Sequence, residues 1–141
     1  MKNQEPDVGR EFLSRLPTYR RLAGSVTGAI LIYAIERHFI ARPDGFFRFQ
    51  APAPNNWSYT VGNSWIEELG LSKGEFRTAF DGIGIRYKSK TAFEQAGRSP
   101  FVRPDGSEAM YASYTDHRAG LTYYSRNHAL VDRYLEQVSR P

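Results

Sequence analysis

The sequence predicts an α+β fold, and three observations carry that prediction. Residues 25–41, SVTGAILIYAIERHFIA, are apolar on nearly every helical face, as a central helix requires. Residues 63–83 divide at Gly70-Leu71-Ser72 into two short amphipathic helices. Past Gly82 and Gly84 the pattern alternates, which marks strands at 85–91, 110–115 and 121–125.

The chain has 141 residues, a length that suits one domain. Hydrophobic residues make up 40% and aromatics 14%, which supports a packed core and argues against disorder. There is no Cys, which excludes a disulfide scaffold, thiolate catalysis and a Cys-type zinc site. No apolar run reaches the roughly 18 residues that a membrane span needs. The start, MKNQEPDVGREF, has no apolar signal core, so a cytoplasmic protein is expected.

Taken in order, residues 1–24 are expected to form an N-terminal arm. Its first nine residues are polar and expected to be loose. Phe12, Leu13 and Leu16 then give a short helix over 10–16 that Pro17 ends. That helix serves either to pack on the domain or to pair two subunits. On the helix at 25–41, Val26, Ala29, Ile30, Tyr33, Ala34, Ile35 and Phe39 cover more than one face, Leu31 and Ile32 extend the coverage, and the helix stops before the turn Arg42-Pro43-Asp44-Gly45. Residues 46–49 alternate as a strand. The loop after them holds Pro52, Pro54, Asn55 and Asn56, with Trp57 and Tyr59 expected to anchor it to the core.

Asn63 or Ser64 caps the next helix, whose apolar side is Trp65, Ile66 and Leu69, and Gly70 stops it. Ser72-Lys73-Gly74-Glu75 is a capping box, and Phe76, Ala79, Phe80 and Ile83 continue the helical spacing behind it. A long insertion, residues 92–108, separates the first late strand from the second. Asn127 caps a last helix with Leu130, Val131, Tyr134, Leu135 and Val138 on one face. Helix, strand, helix-turn-helix and strand pair is the order of a winged helix-turn-helix, here over residues 25–127 with an extended wing. The C-terminal helix, within 128–141, packs on the domain or at a dimer interface.

Two stretches carry a family resemblance. SWIEELGLSKGEFRTAFDGIGI, residues 64–85, is similar to the opening of the recognition helix in phage and plasmid replication-initiation proteins, the replisome organisers. GLTYYSRN, residues 120–127, resembles the closing wing strand of their winged-helix N-terminal domain. The resemblance covers residues 25–127. It implies a sequence-specific double-stranded-DNA-binding protein of a mobile element, acting in replication initiation. The same fold also serves transcriptional regulators, and a protein-interaction module is the alternative from another class. The chain departs from the family at Asp81-Gly82-Ile83-Gly84-Ile85, where a longer basic helix is usual, and in its longer wing.

On that fold, Ser72, Lys73, Arg77 and Thr78 take the exposed side of the recognition helix. Arg77 suits a guanine edge, and Lys73 with the helix N-terminus suits a phosphate. Arg86, Lys88 and Lys90 stand two apart and would share one strand face, in a stretch (residues 85–91) without an acid. Tyr111, Tyr114, Tyr123 and Tyr124 read as core, with base stacking as the alternative. His38, His117 and His128 are far apart and share no ligand motif, so no metal is expected. There is no nucleophile motif and no P-loop, so neither an enzyme nor a cofactor is expected. The expected partners are double-stranded DNA and a second copy of the chain, with replication or transcription proteins beyond them.

Overall fold

A computed structural model of the chain describes residues 8–139. Their order is α1 (Val8–Ala23), α2 (Val26–Ala41), β1 (Phe46–Phe47), α3 (Trp65–Leu69), α4 (Lys73–Ile83), β2 (Gly84–Tyr87), α5 (Lys90–Gln95), β3 (Tyr111–Asp116), β4 (Leu121–Arg126) and α6 (His128–Ser139). The strands form one mixed sheet in the order β1-β4-β3-β2, and the fold is α+β. Among the described residues no helix is long and apolar enough to cross a membrane. The expected loose start lies almost wholly outside the described residues, and the Val138 side chain lies outside them too.

Helix α2 is the centre because it is apolar on several faces. Ala29, Leu31, Ile32, Ala34, Ile35 and Phe39 are all buried. Ser25 caps it by accepting from the Gly28 amide at 2.9 Å. Helix α1 does not end at Pro17 but runs through it to Ala23. A proline inside a helix removes one hydrogen bond and disfavours the helix by about 3 kcal/mol. Packing offsets this: Tyr19 is buried, Leu16 and Leu22 lie against the core, and Phe12 meets Tyr33 edge-on at 5.4 Å. Residues 8–23 therefore belong to the core and are not a detached arm.

The pair α3 and α4 forms as the caps dictate. Gly70 takes the left-handed conformation, φ 70°, that closes α3. The Ser72 hydroxyl accepts from the Glu75 amide at 3.1 Å while Glu75 accepts from the Ser72 amide at 2.9 Å. Helix α4 runs past Gly82 to Ile83, and Gly84 begins the strand. A Cβ on Gly84 would stand 2.6 Å from the Phe80 ring, so glycine is what lets the chain turn there.

The sheet departs from the sequence reading. Strand β2 ends at Tyr87, and Ser89 caps α5 by accepting from the Ala92 amide at 3.1 Å. Strands β2 and β3 run parallel, so residues 88–110 form a crossover, not an extended wing. The hairpin is β3 with β4, joined by the turn at 117–120. The physical reason is Phe93, which packs on Tyr87 at 5.5 Å and on Tyr114 at 5.0 Å and folds α5 back over the sheet. The tyrosines divide by strand alternation: Tyr111 and Tyr124 are buried on the helix side, while Tyr114 and Tyr123 stack half-buried on the outer face.

Helix α6 begins at the expected cap, with Asn127 Oδ1 accepting from the Leu130 amide at 3.3 Å. Leu130 and Val131 are buried in the same core, so α6 packs on the domain. Its start is tied to α2 and the sheet by a buried ion pair. Arg126 donates to Glu36 through Nη2 at 2.8 Å and Nε at 3.0 Å, and the Tyr111 hydroxyl donates to Glu36 at 2.7 Å. Burial, followed by the Glu36 charge, pushes the Tyr111 phenol well above its usual range, so it remains a donor. Arg126 also reaches Asp132 at 2.8 Å.

Two outcomes follow for stability. Glu36→Ala leaves the nearly buried guanidinium only the exposed Asp132 and takes the acceptor from the Tyr111 hydroxyl, and should lower unfolding stability by about 3 kcal/mol in urea titration. Glu36→Leu combined with Arg126→Met should lose less than that single change. The second outcome concerns Glu68, which pairs with the buried Arg48 and accepts from His38 Nε2 at 2.9 Å. Burial alone would raise its carboxyl, but the His38 bond and the two positive neighbours outweigh that and hold it below the ordinary range. A depressed carboxyl contributes stability above the unfolded value of about 4.3. That contribution is lost as pH falls through the folded value. Acid unfolding followed by circular dichroism should therefore be shallower below about pH 4 in Glu68→Gln than in the parent chain.

Candidate nucleic-acid interface

Helix α4 keeps Phe76, Ala79 and Phe80 inward and leaves Ser72, Lys73, Arg77 and Thr78 exposed, as its amphipathic spacing requires. Beside it the helix-facing side of the sheet changes character along the strands. Near α2 it is Tyr111, in the core. Toward the hairpin turn it becomes Ser113, Thr115 and Thr122. These short side chains leave a groove of about 360 Å³ between α4 and the sheet. Arg77 borders it from α4, Arg86 and Lys88 from β2 and the residue after it, and His117 from the hairpin turn. Gln50, Tyr87 and the buried rings of Phe76 and Tyr124 complete the lining.

The polar floor is ordered. Thr115 and Thr122 share a hydrogen bond of 3.2 Å between their hydroxyls. His117 Nε2 donates to the Lys88 carbonyl at 2.7 Å, which ties the hairpin to the end of β2. That bond assigns the proton to Nε2. Arg86 is held by Asp81 in a two-point contact, Nε to Oδ1 at 2.7 Å and Nη2 to Oδ2 at 2.9 Å. The Asp81 bond keeps the guanidinium even more firmly charged than usual. Among the described residues no carboxylate forms an ion pair with Arg77 or Lys88. Cations over a floor of hydroxyls have the chemistry to hold an extended anion, with point charges for phosphates and short donors between them.

The structure gathers three of the seven residues singled out from sequence, Arg77, Arg86 and Lys88, around this groove. It separates the others. The Ser72 hydroxyl is engaged in the cap of α4. The Lys73 carbonyl accepts from Gln50 at 3.3 Å, but the residue does not line the groove. Thr78 faces the junction of α1 and α2, beside Ser25 and Thr27. Lys90 is not on the strand with Arg86; it opens α5. The expected strand face of three cations is therefore not formed, because the Ser89 cap turns the chain into a helix. Sequence reasoning missed Gln50, Ser113, Thr115, His117 and Thr122. Their signal was present: hydroxyl residues alternate with Tyr114 and Tyr123 along the hairpin.

Neither family models, nor curated proteins, nor solved structures give a match to this chain.

Arg86 and Asp81 are both substantially exposed, so their pair contributes at most about 1 kcal/mol to stability. Asp81→Asn should leave the melting temperature nearly unchanged. It should also free Arg86 and raise the salt concentration needed to elute the protein from heparin.

Proposed function

We propose that this chain is a sequence-specific double-stranded-DNA-binding protein built as a variant winged helix-turn-helix. The observation that carries this reading is the grouping of Arg77, Arg86, Lys88 and His117 on one groove between α4 and the hairpin. In this reading α4 enters the major groove and the β3–β4 turn, with exposed Arg118, follows the adjacent backbone. The order α2, β1, α3, α4, β3, β4 and the antiparallel run β1-β4-β3 support it. Strand β2, α5 and the crossover are then an insertion between recognition helix and wing. A role in replication initiation on a mobile element rests on the resemblance in residues 64–85 and 120–127. Pairing of two copies on adjacent half-sites belongs to the same proposal, and the exposed Leu13 on α1 is apolar surface suited to it.

Fluorescence anisotropy with a labelled duplex of about 30 base pairs, read across a salt series, tests the proposal. Duplex binding should weaken steeply with salt. Lys88→Ala should weaken binding to all sequences and lower the salt slope by about 1. Arg77→Ala should weaken the cognate site by a further 1–3 kcal/mol or so, and random duplex much less. Absence of duplex binding at low salt overturns the reading.

A further inference from the structure

Neither the core nor the groove accounts for Trp57. It is 87% exposed, and Val61 four residues on is 92% exposed. The sequence reading expected Trp57 to anchor its loop, and the anchoring falls to its neighbours instead. Tyr59 packs edge-on against Phe49 at 5.5 Å and donates its hydroxyl to Glu67 at 2.7 Å. Asn56 donates its amide to the Ala53 carbonyl at 2.9 Å, and its Oδ1 accepts from the Ser58 amide at 2.9 Å. The residues on either side of Trp57 are therefore fixed, and the indole is held outward by a braced turn.

The place of this turn matters. Asn56 Nδ2 donates to the Ala119 carbonyl at 2.8 Å, so the residue before Trp57 is bonded to the β3–β4 turn. That turn also carries Arg118 and His117, and His117 lines the groove. Residues 50–63 are all neutral, so the segment carries no carboxylate to repel a phosphate chain. The carboxylate of the hairpin turn, Asp116, is engaged by the Arg118 and Ala119 amides at 3.0 and 3.3 Å. One indole and one valine are too little apolar surface for a stable protein interface, which needs about 800 Å² on each partner. An exposed indole whose neighbour Asn56 is bonded to the turn that carries Arg118 suits a nucleobase, which has a π face whatever its identity.

We propose that Trp57 stacks on an unpaired base of DNA held in the groove. The protein then favours duplex containing a short unpaired stretch over fully paired duplex. This rests on the DNA reading above and adds a preference that the groove alone does not give.

The test compares a fully paired duplex with one carrying a central two-nucleotide bulge, by anisotropy and by tryptophan emission. The second tryptophan, Trp65, is fully buried and serves as an internal reference. The parent chain should bind the bulged duplex roughly 5- to 100-fold more tightly, with quenched emission. Trp57→Ala should abolish the preference and the quenching while paired-duplex binding stays unchanged, and Trp57→Phe should restore part of the preference. Equal binding of both probes by the parent chain overturns this inference and leaves the groove reading standing. A preference that survives in Trp57→Ala has the same effect. Absence of binding to either probe overturns both.

Discussion

The arrangement depends on the buried indole of Trp65. It is fully enclosed, and its Nε1 donates to the Tyr124 hydroxyl at 3.0 Å. That bond joins the first residue of α3 to the centre of β4. Phe76 of α4 stacks on the same indole at 5.7 Å, and the Arg48 guanidinium lies 5.0 Å from its ring centre. One side chain thus sets the distance of the helix pair from the sheet. Tyr124 and Phe76 are both walls of the groove, so the groove's width is inherited from this contact. The buried donor needs its partner, and that need makes the spacing specific.

The groove lies where the helix-facing side of β3 and β4 carries short side chains instead of rings. Where α2 and α4 lie on the strands, large side chains such as Tyr111 and Tyr124 fill the space. Toward the hairpin turn the same face carries Ser113, Thr115 and Thr122, and the two threonine hydroxyls share a hydrogen bond. The cations border this floor, Arg77 from α4 and Arg86 and Lys88 from the end of β2. Among the described residues, Asp81 from the last turns of α4 pairs with Arg86.

The outer face of the sheet is of another kind. A row of rings, Phe47, Tyr123, Tyr114, Phe93 and Tyr87, crosses it with neighbouring centroids 5.0 to 6.0 Å apart. Helix α5 exists to supply one member of that row. Its position converts the segment after β2 from a wing strand into a parallel crossover, and Lys90 is carried away from Arg86 with it.

Helices α2, α3, α4 and α6 and the exposed side of α4 were legible in the sequence because each depends on residues a few positions apart, whereas the Ser89 cap and the start of α5 were read as strand. The capping box at Ser72 and Glu75 and the stop at Gly70 are of this kind. Pro17 misled because its local effect is outweighed by contacts of Tyr19 and Phe12 with a helix further along the chain. Strand direction was not legible, since it turns on Phe93 meeting Tyr87 and Tyr114. The grouping of Arg77 with Arg86, Lys88 and His117 follows from that pairing and from Trp65. By itself the sequence determined helices α2, α3, α4 and α6 and the exposed side of α4. The tertiary structure decided which strands pair, which cations share a groove and that Trp57 stands outside the core, because those outcomes rest on contacts between residues remote in sequence.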